Sequence, residues 1–366
     1  MTIFLQGCSS YDLPPSSYLG EWRTAGGNFE RSGVVNARLS PPLEEVWRVR
    51  AGKGIRGSPV PVGPLVIIPT TDGKVKVYLI EDGEKIWETK IKGGFFVTPV
   101  VSNKRIFISS EYPDGTLYCF DIQSGDILWN QAIGPSHSTS TIDGGVIYTV
   151  TNAGEIYAHN TQRGGLLWKI ENRPIIPQSP IVSGDSLFVM SGGDTLKVLS
   201  TVDGDVLASV SLPRHSYPAV AMAGHRIFYG SNAGISVISA SLKGDVSLFS
   251  APKTYRLAIS GDTILGTDGV RTAFALDTRS GLIRWTRMTS GLLEASPIII
   301  DTMSLFVSIA GEVRLFDIAS GELLWEKNLD TPLSSSPTAS GEMLIIATEK
   351  GELIAYSSKG IDRLPK

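Results

Sequence analysis

The chain has 366 residues, a formal net charge of −3, 42% hydrophobic and 19% charged residues, so it can build a substantial core and is not a disordered tract. The near-balanced charge excludes the strongly basic stripe that nucleic-acid binding needs. Apolar runs such as Ile298-Ile299-Ile300 are too short to cross a bilayer as a helix, and two cysteines, Cys8 and Cys119, support neither a disulfide framework nor a cysteine-based zinc site.

In chain order the first feature is Leu5-Gln6-Gly7-Cys8-Ser9. It resembles the lipobox of bacterial lipoproteins, in which a hydrophobic signal is cut before a cysteine that is then acylated. The resemblance implies lipidation at Cys8, with residues 1–8 a signal remnant. Ser9 after the cysteine implies the outer membrane. Multiple acylation would hold firmly where one chain is marginal. Residues 9–21 read as a polar tether, carrying Ser9, Ser10, Pro14, Pro15, Ser16 and Ser17.

From Leu43 to Val49 runs a strand-like segment ending its apolar alternation around Trp47. After it one phrase recurs: Ser/Thr-Pro, two short apolar strands, a Gly-containing turn, an alternating third strand, then Gly-x-x-x-Trp. The tryptophan stands at Trp47, Trp87, Trp129, Trp168, Trp285 and Trp325, with the two vacant registers read at Ala208 and Leu248; successive spacings are 40, 42, 39, 40, 40, 37 and 40. The Ser/Thr-Pro mark recurs at Ser58, Thr98, Ser179, Ser296 and Ser336, with Tyr217-Pro218 as a variant. Each unit holds about four stretches of period-two alternation and none of helical period. Four strands per forty-residue repeat predicts an all-β propeller of four-stranded antiparallel blades. The last unit stops near Tyr356 without its Trp strand, and the segment 43–49 is an unattached Trp strand. Pairing the two completes an eighth blade and removes the open edges of the ring. The propeller then spans residues 22–357 with a tail over 358–366, and a closed ring is expected to be monomeric.

The phrase Ala275-Leu276-Asp277-Thr278-Arg279-Ser280-Gly281-Leu282-Ile283-Arg284-Trp285, with near copies ending at Trp325 and Trp129, resembles the tryptophan-docking motif of the quinoprotein-type (PQQ-like) propellers. The resemblance implies that each Trp docks on the neighbouring blade while Asp and Gly fix the turn before it. Blades four and five lack the Trp, so weaker or different docking is expected there. The lead-in Trp22 to Asn28 with Arg31-Ser32-Gly33 is similar to the start of the BamB family of outer-membrane assembly lipoproteins. That similarity implies a non-catalytic scaffold at the periplasmic face of the outer membrane. Its partner would be a protein, the central subunit of the β-barrel assembly complex.

The enzymes of this fold carry a quinone and a metal ion in a chamber built by long insertions. Here the loops are short, no cysteines are adjacent, and no Asp/Glu/Asn set clusters as ligands, so neither cofactor nor metal is expected. Gly52-Lys53-Gly54-Ile55-Arg56-Gly57 reads G-x-G-x-x-G, but Ser58-Pro59-Val60-Pro61 cannot start the helix that would face a pyrophosphate. His137, His159, His215 and His225 are scattered, as solvated turn residues would be, and no serine lies in a nucleophile elbow. No catalytic constellation emerges.

What varies between repeats is the link before each Ser/Thr-Pro mark. These links carry Arg56, Phe95, Phe96, Ile175, Ile176, Arg214, Tyr217, Tyr255, Arg256, Leu292 and Leu293. Aromatics, arginines and branched aliphatics are enriched at protein interfaces. Two readings are open for them: a partner-binding face, or apolar plugs over the channel entrance and blade edges. The alternative functions are an envelope adaptor or sensor with another protein or glycan partner, and a reduced quinone-dependent dehydrogenase.

Overall fold

The computed structural model describes residues 24, 27–28, 30–171, 178–192, 194–212, 216–242 and 247–358, with the side chains of 216–219 left aside. Among them regular structure is entirely β-strand. Eight antiparallel sheets follow one another in the chain, each with four blade strands in meander order. Blades 1 to 7 begin at Val60, Val100, Thr141, Ile181, Ser216, Arg256 and Ile298. In blade 8, Leu43–Arg50 pairs antiparallel with Glu352–Ser358, and Met343–Ala347 and Thr338–Ser340 complete the sheet. The ring is therefore closed by the N-terminal strand, which leaves no blade short of a partner.

The strands form where the alternation is cleanest, and burial follows blade depth. Second strands such as Leu65–Pro69 and Met343–Ala347 are buried at every position, because neighbouring blades cover both faces. Fourth strands, at the rim, bury one side only, as in Ile283–Met288 with Trp285 inward.

Each tryptophan of the repeat closes one blade-to-blade seam. Its indole N–H donates to a carbonyl of the next blade: Trp47 to Ile80, Trp87 to Ile122, Trp129 to Thr161, Trp168 to Thr201 and Trp285 to Ile318, at 2.8–3.0 Å. At the closing seam Trp325 donates to Leu43 at 3.0 Å. The glycine of the motif belongs to the same contact. At Gly321, φ is +69° and an added Cβ would stand 2.5 Å from the Trp285 ring, so only glycine fits both the turn and the indole. The aspartates hold that turn: Asp277 accepts the N–H groups of Arg279 and Ser280, and Asp317 those of Ala319 and Ser320. These bonds, after the Arg284 pairing in the case of Asp277, hold both carboxyls below the usual carboxylate range.

The two irregular seams differ from the expectation in one respect. Ala208 pairs with Val198 in the register that Trp168 takes against Ala158, as expected. In blade 5, however, Val237 pairs with Ser247, so Ser247 and not Leu248 stands in the Trp register. Leu248 is 52% exposed. Phe249, two residues beyond that register, lies 3.5 Å from the position of a Cβ on Gly281 and packs on the core between blades 5 and 6. Phe188, Met190 and Tyr229 fill the seam beside Ala208 instead.

A second belt runs near the axis. The backbone N–H of Ser296 donates to Ser336 Oγ, that of Ser336 to Ser58 Oγ, and that of Ser58 to Thr98 Oγ1, at 2.9–3.1 Å. Thr139 donates likewise to Ser179. The recurrent Ser/Thr is thus an acceptor for the preceding blade, 40 residues away in sequence except at the join, where Ser336 and Ser58 are 278 apart. Residues 30–38 form a strap across four inner strands that periodicity does not announce. Their carbonyls at Glu30, Ser32 and Gly33 accept from Met222, Ile259 and Ile299, Val34–Val35 pairs parallel with blade 7, and Arg38 donates to Gly341 in blade 8.

If the indole seams carry blade cohesion, Trp285→Ala should cost about 3–5 kcal/mol of unfolding free energy in urea. A loss below about 1 kcal/mol would remove Trp285 from that role.

Candidate binding face and central channel

The links between blades and the turns between second and third strands crowd one face of the ring. Arg56 is exposed there, 3.9 Å from Glu349 across the seam of blades 8 and 1. His137 contacts the Glu111 carboxylate. Phe96 is half-buried and tilts against exposed Tyr112, with ring centroids 6.4 Å apart. Arg256 lies over the Tyr255 ring at 4.3 Å, and both are half-buried. Leu292 is half-buried as well.

Two link residues turn inward. Phe95 and Leu293 are 0% exposed; Phe95 meets Tyr118 edge-on within the core, and Leu293 packs with Ala258, Leu265 and Ile299. They plug the blade edges, and neither can reach a partner. Ile175, Ile176 and Arg214 lie outside the described residues, as does Cys8, and of Tyr217 only the backbone, in Ser216–Ala223, is described.

The G-x-G-x-x-G run is a blade link. Gly351 accepts the N–H groups of Ala51 and Gly52, and a Cβ on Gly57 would stand 2.3 Å from the Val97 carbonyl oxygen. These glycines answer to the close approach of neighbouring backbones. His159 also departs from expectation: it is not a turn residue but lies in the third strand of blade 3, 2% exposed and stacked on Tyr157. Burial lowers its pKa. Cys119 is buried in the same way, and its thiol is pushed up to about 12 by loss of solvent.

Sequence reading overlooked three features. One is Thr139, which stands in the belt although no proline follows it; its spacing from Thr98 and Ser179 was the available signal. The second is the cavity where the channel opens on this face. It is about 500 Å³ and is lined by Arg31, Arg56, His137, Tyr255, Arg256 and belt hydroxyls. The third is an apolar rim near the starts of the outer strands: Leu166, Leu167, Val206, Leu207, Leu323 and Leu324 are 39–59% exposed. The two residues preceding Trp168, Ala208 and Trp325 supply this band, and each outer strand also leaves one edge unpaired in its blade.

The family model of outer membrane protein assembly factor BamB matches residues 31–171, 113–247 and 239–360. BamB of Burkholderia pseudomallei (strain K96243) is 22% identical over 342 residues, 86% of this chain and 88% of the relative. BamB of Moranella endobia (strain PCIT) is 23% identical over 277 residues, 67% of this chain and 62% of the relative. For BamB of Escherichia coli (strain K12) the match is 26% over 152 residues, and the chain spans only 38% of that relative. Among solved structures, BamB from Moraxella catarrhalis is similar at a TM-score of 0.73 and 15% identity, over 86% of this chain and 99% of that one. The quinohemoprotein alcohol dehydrogenase from Comamonas testosteroni reaches 0.77 at 10% identity, over 96% of this chain and 82% of that enzyme. At such identities the structural likenesses establish the fold alone.

The placement of the link residues separates two substitutions one position apart. Phe95→Ala should destabilise by about 3–5 kcal/mol in urea unfolding, whereas Phe96→Ala should stay within about 1 kcal/mol. His159 has a pH signature. Above its ordinary pKa of 6.5 the imidazole is neutral in both states. Below that value the unfolded chain takes up a proton that the buried ring resists, so stability falls until the folded imidazole also protonates. Urea midpoints measured from pH 7 to pH 5 should decline in the wild type and decline less in His159→Gln.

Proposed function

The chain belongs to the outer membrane protein assembly factor BamB family, and on that premise we propose that it is a non-catalytic scaffold of the bacterial envelope, binding the central subunit of the β-barrel assembly machinery. The observation that carries this reading is the family match across the whole ring, residues 31–360. The link face supports it with a suitable surface: Arg56, Phe96, Tyr255 and Leu292 offer cationic, aromatic and aliphatic contacts on a rigid ring. The outer strands offer a second mode, in which an extended segment of the partner adds to an unpaired edge beside the apolar rim. Lipidation at Cys8 would tether the ring to the periplasmic face of the outer membrane through residues 9–21.

The non-catalytic reading is supported by where the repeat's reactive side chains are engaged. Asp277 and Asp317 hold turns, Ser58 and Ser336 hold the belt, and the tryptophans hold seams. Among the described residues no group of three His, Cys, Asp or Glu is placed to hold a metal ion.

Gentle solubilisation of the tethered protein from its envelope should copurify the central barrel-assembly subunit. Arg56→Glu with Phe96→Ala should weaken that complex at least ~10-fold, about 1.4 kcal/mol, while leaving the fold intact. Unchanged affinity would move the contact to the rim, and capture of other partners alone would favour an envelope adaptor. Cys8→Ala should release the protein from the membrane fraction; retention there would remove the lipid anchor.

A further inference from the structure

We propose that the mouth of the central channel binds a small oxyanion, carboxylate or phosphate, between Arg31 of the strap and Arg256 of blade 6. This site stands independently of the partner-binding reading, since it lies inside the ring and draws on the strap.

The first observation is an arginine without a counter-charge. Arg31 reaches across the channel from the strap, and its Nη2 donates to the Thr139 carbonyl in blade 3 at 3.0 Å. Its Nε is shut off from solvent and has no hydrogen-bond partner. Among the described residues no carboxylate pairs with it. Burial alone acts on its pKa, pushing it down to about 9, so the guanidinium remains charged at neutral pH. Arg31 as a whole is half-buried, and its Nε is the part withdrawn from water without a partner, an arrangement that costs free energy for a charged group.

The second observation is that Arg256 opens on the same cavity in a similar state. Its Nε donates to the Glu294 carbonyl oxygen and its Nη1 to that of Tyr255, and the carboxylate of exposed Glu294 and the Tyr255 side chain offset its burial only in part. Burial lowers its pKa too. Arg56 stands at the same mouth, exposed and already 3.9 Å from Glu349, and the single carboxylate in the lining is that of exposed Glu294. Three guanidinium groups thus line a space of about 500 Å³. One anion would offset the desolvation of Arg31 and Arg256, and an arginine fork matches the two oxygens of a carboxylate or phosphate.

The third observation is the supply of neutral donors. Thr98, Ser179 and Ser336 line the cavity, and each hydroxyl already accepts a neighbour's N–H through one lone pair. That fixes the oxygen and leaves the O–H of each to donate into the channel. Guanidinium forks beside hydroxyls at a partly enclosed channel mouth are the composition of an oxyanion site. The ligand would also tie the strap to blade 6, so binding should stabilise the whole ring.

The test is thermal unfolding and calorimetry of the full chain with citrate, with inorganic phosphate, and with sodium chloride at matched ionic strength. Citrate or phosphate should raise the melting temperature with concentration, beyond the chloride control, as a ligand of the native state must. The responding probe identifies the carboxylate or the phosphate source. Arg31→Gln and Arg256→Gln should each weaken the effect at least ~10-fold. Should Arg31→Gln fail to fold, Arg256→Gln carries the same measurement. A shift no larger than that of chloride, or one retained in Arg256→Gln, would overturn the proposal.

Discussion

The ring depends on the indole seam between consecutive blades. A single tryptophan at the rim supplies apolar area, a directed N–H and a flat surface for the glycine of the next turn, so one contact sets the spacing and angle of two sheets. Because the same seam recurs, the packing angle repeats and the chain returns to its start. The closing contact, Trp325 on Leu43, uses the N-terminal strand as though it were the missing piece of the next blade. The inner hydroxyl belt does the corresponding work near the axis, where Ser336 donates to Ser58 across the join. Rim and axis are therefore held by different chemistry at one period.

The seams without tryptophan show how much tolerance this design has. Blade 4 replaces the indole with volume from second-strand side chains, and blade 5 shifts the aromatic two positions to Phe249. Beside these blades the strap begins, hydrogen-bonding from blade 5 to blade 8 across the inner strands. Half of the ring is thus tied on its inner side, and the part that lacks rim tryptophans lies within or next to the tied arc. The strap also carries Arg31 into the channel, so reinforcement and the channel's positive character come from one segment.

For function, the repeat works by subtraction. Residues that recur are committed to turns, belts and seams, which leaves the links free to differ. The family's association with outer-membrane assembly fits a rigid ring with a variable face. Two of the most apolar link residues are nevertheless interior, and that narrows the usable face to half-buried aromatics, Leu292 and the arginines. Likeness to the quinohemoprotein enzyme, at 10% identity, is a likeness of fold.

The sequence by itself determined the repeat, the eight blades, the closure by residues 43–49 and the docking tryptophans. These are legible because they rest on period: alternation within a strand, and a forty-residue interval between strands that must meet. The tertiary structure alone decided which link side chains face water. Phe95 and Phe96 are adjacent and chemically identical, and only the neighbouring blade makes one core and the other half-buried. It also decided that Ser247 holds the blade 5 register, because the pairing of Val237 with Ser247, and not a fixed interval counted along the chain, sets which residue faces the seam. The strap, and the unpaired guanidinium it places in the channel, left no periodic trace. Their partners lie roughly 190–310 residues away for the strap's backbone bonds and 108 for Arg31, and contacts between such distant segments exist only once the ring has closed.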